Sequence, residues 1–224
     1  MIVNPAIGQP YAHEVVALCY ERYGDLRNAI AEARTALHLL PANSPERFRN
    51  HTDTIFHLSE DLYEIGEFDE ARHLWRETWE HFVAERLPYR DAKKVDGDAL
   101  FRQGKYRAAF AAYYDSNITN PQWRIGFNSD AAEAASPRLL DALHQASLGD
   151  FQHAINGLRA IVSEQPDFQE VYFYLGNALY IEGQRVDAIS TWRKTLLHAR
   201  YRSPDIHGPD DVQLEALGML VSHA

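Results

Sequence analysis

One short pattern recurs five times along this chain and constrains its fold more than any other feature. A glycine is followed five residues later by an alanine, usually with an aromatic or leucine in between at the second place. The copies are Gly24-Asp25-Leu26-Arg27-Asn28-Ala29, Gly66-Glu67-Phe68-Asp69-Glu70-Ala71, Gly104-Lys105-Tyr106-Arg107-Ala108-Ala109, Gly149-Asp150-Phe151-Gln152-His153-Ala154 and Gly183-Gln184-Arg185-Val186-Asp187-Ala188. Only Arg185 departs at the second place. A glycine ends a helix cheaply because it alone adopts the left-handed conformation there without steric cost. The alanine lets a second helix pack close against the first. The pattern therefore predicts a helix, a glycine turn and a returning helix, five times over.

The flanking residues agree. Tyr172, Leu175, Gly176 and Leu179 recur at helical spacing before Gly183, and Ala188 and Trp192 continue the period after it; Ile55, Leu58 and Leu62, then Ala71, Leu74 and Trp75, do the same around Gly66. Pro41, Pro121 and Pro166 each stand 17 residues beyond a glycine, where a returning helix should stop. In the last hairpin Tyr172-x2-Leu175-Gly176-x2-Leu179, then Ala188-x3-Trp192, resembles the tetratricopeptide repeat family, with its Trp-x2-Leu-Gly-x2-Tyr helix followed by Ala-x3-Phe. The resemblance covers roughly residues 10–200. It implies an all-α, right-handed superhelical solenoid of about five helix-turn-helix hairpins, read as a single domain with repeats at roughly 10–43, 52–85, 90–122, 136–167 and 169–201.

Several features depart from the family. Only the final glycine interval keeps the 34-residue spacing. The largest insertion, 123–136, carries Asn128-Ser129-Asp130 as turn chemistry and Ser136-Pro137 as a helix start, and is the expected hinge or break. Lys93 and Asp96 in the third hairpin, and Arg138 and Asp141 in the fourth, occupy places that should be buried. For the fourth, either the turn is a residue shorter or the helix rotates to bury Leu139, Leu140 and Leu143 elsewhere. Beyond the last hairpin, a helix over 210–222 is expected to cap the exposed end of the stack.

Composition narrows the function. A formal charge of −10, from 22 basic and 32 acidic residues without a basic cluster longer than Lys93-Lys94, disfavours nucleic acid as a partner. A partner with basic residues fits better. No window approaches a membrane span, no leader pattern opens the chain, and the single cysteine favours a reducing compartment, so the expected location is cytoplasmic. Cys19, inside Val15-Val16-Ala17-Leu18-Cys19, is expected to be buried and inert. Asn117-Ile118-Thr119 matches a glycosylation sequon that means nothing without secretion.

Chemistry finds little support in the sequence. His73, Glu77 and His81 share a helix face, but the first and last stand about 12 Å apart along the axis, too far for one ion. His57 with Asp61 has the same weakness, and neighbouring pairs could hold a metal only with help from another helix. His13-Glu14 lacks the second histidine of the zinc-protease motif, and no phosphate loop, nucleophile elbow or dinucleotide fingerprint is present. The reading is no enzyme, no metal and no cofactor.

What the family resemblance offers is a binding face. Its members present the first helix of each hairpin on a concave surface that takes peptides or partner helices. Subtracting core places leaves Asp53, Phe56, His57, Glu60, Tyr63 and Glu64 in the second hairpin, Asp91, Lys94, Asp98, Phe101 and Arg102 in the third, and Glu170, Phe173, Tyr174, Asn177 and Tyr180 in the fifth. Carboxylates interleaved with rings suit a basic, partly apolar segment of a protein or peptide. The places that grip a chaperone tail in some members hold Glu14, Leu18 and His57, which argues against that clamp, although Asn177 matches in the last hairpin. The expected function is a non-catalytic interaction scaffold. The alternative is a homo-oligomeric or regulatory subunit, with Trp123, Ile125, Phe127, Leu139, Leu140 and Leu143 as the patch between copies.

Overall fold

The computed structural model describes residues 5–40, 51–86, 92–119, 129–200 and 211–223, and among these it is all-helical, with eleven helices and no strand. The hairpins are α1 (Pro5–Arg22) with α2 (Leu26–His38), α3 (Thr52–Glu64) with α4 (Phe68–Arg86), α5 (Ala92–Arg102) with α6 (Tyr106–Thr119), α7 (Ser129–Leu148) with α8 (Phe151–Glu164), and α9 (Gln169–Ile181) with α10 (Arg185–Arg200); α11 (Asp211–Ser222) follows. The array divides into two compact units, Met1–Glu85 with Ser203–Ala224, and Arg86–Arg202. The first holds two hairpins and α11, the second three hairpins.

The five turns close alike. Each turn glycine has φ between 74° and 97°. Its N–H donates to the carbonyl three residues back, as Gly24 to Glu21 and Gly183 to Tyr180, and the next N–H donates five residues back, as Asp25 to Tyr20 and Gln184 to Leu179. This double bond pattern satisfies carbonyls that the helix end would leave unpaired. Asp25 and Asp150 then cap the returning helices by accepting from the backbone N–H of Asn28 and His153. The alanines five places after each glycine, Ala29, Ala71, Ala109, Ala154 and Ala188, are wholly buried.

A second line of small residues lies seven places before each turn glycine: Ala17, Ser59, Gly97, Ala142 and Gly176, all buried. At two of them a large ring of the returning helix, sixteen residues on, fills the space. A Cβ on Gly97 would stand 2.5 Å from Tyr113, and one on Gly176 2.3 Å from Trp192. Ser59 instead donates from Oγ to the Ala71 carbonyl at 2.7 Å.

The turn of the fourth hairpin is not shortened. The Gly149 turn has the same bonds as the others, so its length is unchanged. Instead α7 buries Leu139, Ala142, Leu143 and Ala146 and exposes Arg138 and Asp141. Burying each leucine is worth about 1.5–3 kcal/mol, whereas burying an unpaired charge is costly, so the leucines hold the inner side and the charges the outer one. Arg138 turns outward to make two hydrogen bonds with Glu164 on α8, at 2.8 and 2.7 Å, which hold the Glu164 carboxyl below its usual range. Likewise α5 buries Gly97, Asp98 and Phe101 and leaves Asp96 exposed.

Two further expectations are corrected. Helix α7 begins at Ser129, not Ser136, and Pro137 lies inside it, because the alanine-rich run from Ala131 to Ala135 favours helix strongly enough to carry through one proline. The chain does not divide at 123–136: α6 and α7, on either side, pack together in one unit, with the Tyr114 and His144 rings 5.2 Å apart. Residues 120–128, including Trp123, Ile125 and Phe127, lie outside the described residues.

Helix α11 packs on α3 and α4 of the second hairpin. Arg72 Nε donates to the Val221 carbonyl at 2.9 Å, and a Cβ on Gly218 would stand 2.2 Å from the Trp75 indole. Seven consecutive residues, Glu215 to Val221, are buried. Glycine at 218 gives the helix a flat face against which an indole can lie.

Candidate binding surface

The inward faces read from the sequence are mostly closed. In α3, Phe56, Glu60 and Tyr63 are buried and His57 is half-buried, while Asp53 and Glu64 are exposed. In the second unit, Asp98, Phe101, Glu170, Phe173, Tyr174 and Asn177 are buried, Lys94 and Tyr180 are half-buried, and Arg102 is exposed. Asp91 lies outside the described residues.

The faces of the third and fifth hairpins meet one another. Lys94 Nζ stands 3.8 Å from Glu170 Oε1 and 6.0 Å from the centre of the Phe173 ring, and the Phe101 and Tyr180 rings are 6.3 Å apart. Tyr113 of α6 joins them, 5.2 Å from the Tyr174 ring and 6.1 Å from the Phe173 ring. The polar groups inside this cluster are bonded in series. Tyr113 Oη donates to Asp98 Oδ1 at 2.8 Å, Tyr174 Oη donates to Glu170 Oε1 at 2.7 Å, and Asn117 Nδ2 donates to Tyr174 Oη at 3.1 Å. Rings and carboxylates that suit a guest peptide equally suit each other, and apolar area removed from water drives the closure. Asn177 accepts from Trp192 Nε1 at 3.1 Å, which ties it to the core, and the buried Asn117 of the sequon donates from Nδ2 to the Tyr113 carbonyl at 2.8 Å.

In the first unit, histidines and glutamates join α1 to its neighbours. His13 Nδ1 stands 2.5 Å from Glu32 Oε2 on α2, His51 at the start of α3 bonds Glu14, and His57 Nδ1 lies 3.5 Å from Glu21 Oε2 and 3.9 Å from Glu60 Oε2. Glu14 and Glu21 stand ten and three residues before Gly24, the same offsets as Phe56 and Tyr63 before Gly66. Subtracting core places in the first hairpin, as in the others, would have revealed them.

What α1 does not bury is equally informative. Cys19, expected in the core, is exposed, and so are Tyr11 (66%), Val15, Val16, Leu18 and, just past the helix, Tyr23 (89%). Within that apolar run only Ala17, the small residue of the close-packing line, is buried. Tyr11, Val15 and Leu18 fall at i, i+4 and i+7, and Val16, Cys19 and Tyr23 at i, i+3 and i+7, so two adjacent apolar rows share one helix face. By contrast Leu139 and Leu143, named above for an interface between copies, are in the core of their unit.

Helical hairpins closed by glycine turns, with alanine at the inner crossing, define a helical-repeat architecture. The tetratricopeptide repeat family model matches residues 57–120, across the second and third hairpins. No curated protein matches the chain. Among solved structures, MamA is 20% identical, with 88% of this chain and 98% of that one covered at a TM-score of 0.34. The type IV pilus biogenesis factor PilW is 18% identical over 88% and 80% of the two chains, TM-score 0.37. A thermophilic tetratricopeptide protein of Thermus thermophilus is 17% identical over 95% and 98%, TM-score 0.33. No described helix is long and apolar enough to cross a membrane.

Proposed function

We propose that this chain is a non-catalytic interaction scaffold that binds a partner protein through the outer face of α1. The observation that carries the reading is the double apolar row Tyr11–Val15–Leu18 and Val16–Cys19–Tyr23, left in water on a helix whose other side is fastened to α2 and α3. Contiguous exposed apolar side chains of this kind mark protein interaction sites more often than isolated ones. Of the inward-face residues, Asp53, Glu64 and Arg102 are exposed, two acidic and one basic, and the net charge of −10 favours a partner carrying basic residues.

Cys19 makes the test direct, since it is the single cysteine and lies in the patch. A photo-crosslinker attached there should yield discrete adducts in native lysate, absent from a folded Tyr11→Glu/Leu18→Glu variant labelled equally well. Adducts that persist in the variant, or none from the wild type, would reject α1 as the docking face. An adduct of twice the chain's 25.6 kDa would select the homo-oligomer.

A further inference from the structure

Within the first unit, Glu21 of α1 and His57 and Glu60 of α3 bring one donor atom each to within 4.8 Å of one another. Two of the spacings are known individually: His57 Nδ1 is 3.5 Å from Glu21 Oε2 and 3.9 Å from Glu60 Oε2. These oxygens face Nδ1 without bonding it. The atom is shielded from solvent and has no hydrogen-bond partner. The nearer oxygen is beyond the usual length of about 2.7–3.2 Å for such a bond. Donors arranged about a tetrahedral zinc ion, at about 2.0–2.1 Å from the metal, stand about 3.4 Å from each other. The spacing therefore fits three ligands of one ion better than it fits a hydrogen-bonded triad.

The electrostatics point the same way. Both carboxylates have little exposure, 8% and 5% for their side chains, and the imidazole retains 26%. Carboxylate oxygens and an imidazole nitrogen gathered within 4.8 Å of one another in a sheltered place form a setting that a divalent cation stabilises. We propose that Glu21, His57 and Glu60 form a divalent-metal site that takes zinc. His57 ligates through Nδ1 and carries its proton on Nε2; the carboxylates contribute one oxygen each. One imidazole with two carboxylates and no thiolate is a donor set for zinc and neighbouring first-row ions. The partial exposure of His57 leaves the fourth ligand position to water. The ion fastens α1 to α3 and so braces the helix whose outer face is exposed, but the site stands on its own geometry and is independent of what that face binds.

The test is a calorimetric titration of the chelator-treated full chain with zinc chloride, with the same chain titrated with cobalt and followed by its visible d–d absorption. One saturable equivalent, a raised melting temperature and the intense cobalt band of a four-coordinate site are expected. His57→Ala should abolish that equivalent, and Glu21→Gln and Glu60→Gln should each weaken it by at least about tenfold. His73→Ala, which removes an exposed histidine 3.7 Å from Glu77 on the outer surface of α4, should change nothing. The proposal fails if no saturable equivalent appears, or if it survives His57→Ala. Should that variant not fold, the wild-type cobalt spectrum decides alone, because loose binding to surface histidines gives only the weak band of a six-coordinate aqua complex.

Discussion

Gly176 and Gly183 are seven residues apart and are required for different reasons. Gly183 holds a backbone at φ 76° with nothing within 4 Å of a Cβ placed there. Gly183→Ala should therefore cost only the left-handed strain, about 1–2 kcal/mol. At Gly176 the backbone is helical and alanine is the better helix former, yet the new methyl would lie 2.3 Å from Trp192 Nε1 and 2.4 Å from its Cδ1. Moving a packed indole that also donates to Asn177 should outweigh the propensity gain, for a net loss of about 1–3 kcal/mol. Urea denaturation of both variants checks the pair, and near-ultraviolet circular dichroism should report a displaced tryptophan for Gly176→Ala alone. Tyr113→Phe supplies a third case. It keeps the ring against Gly97 and strips the donor from Asp98, a carboxyl with 1% exposure whose other oxygen makes no hydrogen bond. A loss of about 1–3 kcal/mol at equal m-value is expected. The turn glycines were legible in the sequence because their cause is local. The burial of Asp98 was not, since its partner is fifteen residues away on another helix and no local pattern marks it.

Among the elements, the helix hairpins were readable and the accessibility of their faces was not. Lys93, Asp96, Arg138 and Asp141 look like charges in core places when each helix is set on the family's frame. In the structure those charges lie on the exposed or half-buried side of α5 and α7, and positions ten, seven, six and three before the turn glycine face inward: Lys94, Gly97, Asp98 and Phe101 in α5, and Leu139, Ala142, Leu143 and Ala146 in α7. The same four offsets in α3 are Phe56, Ser59, Glu60 and Tyr63, three of which were read as an open groove. An inward face and an accessible face are different properties. Periodicity gives the first, and only the positions of distant helices give the second. Consequently Phe56→Ala is expected to destabilise the first unit by about 3–5 kcal/mol, the usual cost of removing a buried phenylalanine, whereas Tyr11→Ala on the outer face of α1 should stay within about 0.5 kcal/mol. Thermal unfolding of the two variants separates core from surface without any partner in hand.

At the scale of the whole chain, the two units differ in how they are drawn from the sequence. Arg86–Arg202 is one continuous stretch, whereas the other unit needs both Met1–Glu85 and Ser203–Ala224. The contact that joins those two stretches is specific: Arg72 and Val221 are 149 residues apart, and Gly218 meets Trp75 at a distance only glycine permits. The aromatic core of this unit is drawn from that one stretch. Residues 86–202 expressed alone should therefore give a helical, cooperatively unfolding fragment. Residues 1–85 alone lack α11, so the indole of Trp75 loses its cover and the carbonyl partner of Arg72 is gone. That fragment should be less helical, and its tryptophan emission should shift to the red. Adding a peptide of residues 203–224 in trans should reverse both changes saturably, while the same peptide with Gly218→Leu should not, because its side chain would occupy the volume of the indole. If 1–85 is fully folded and ignores the peptide, α11 is an accessory to the second hairpin and contributes little to its core.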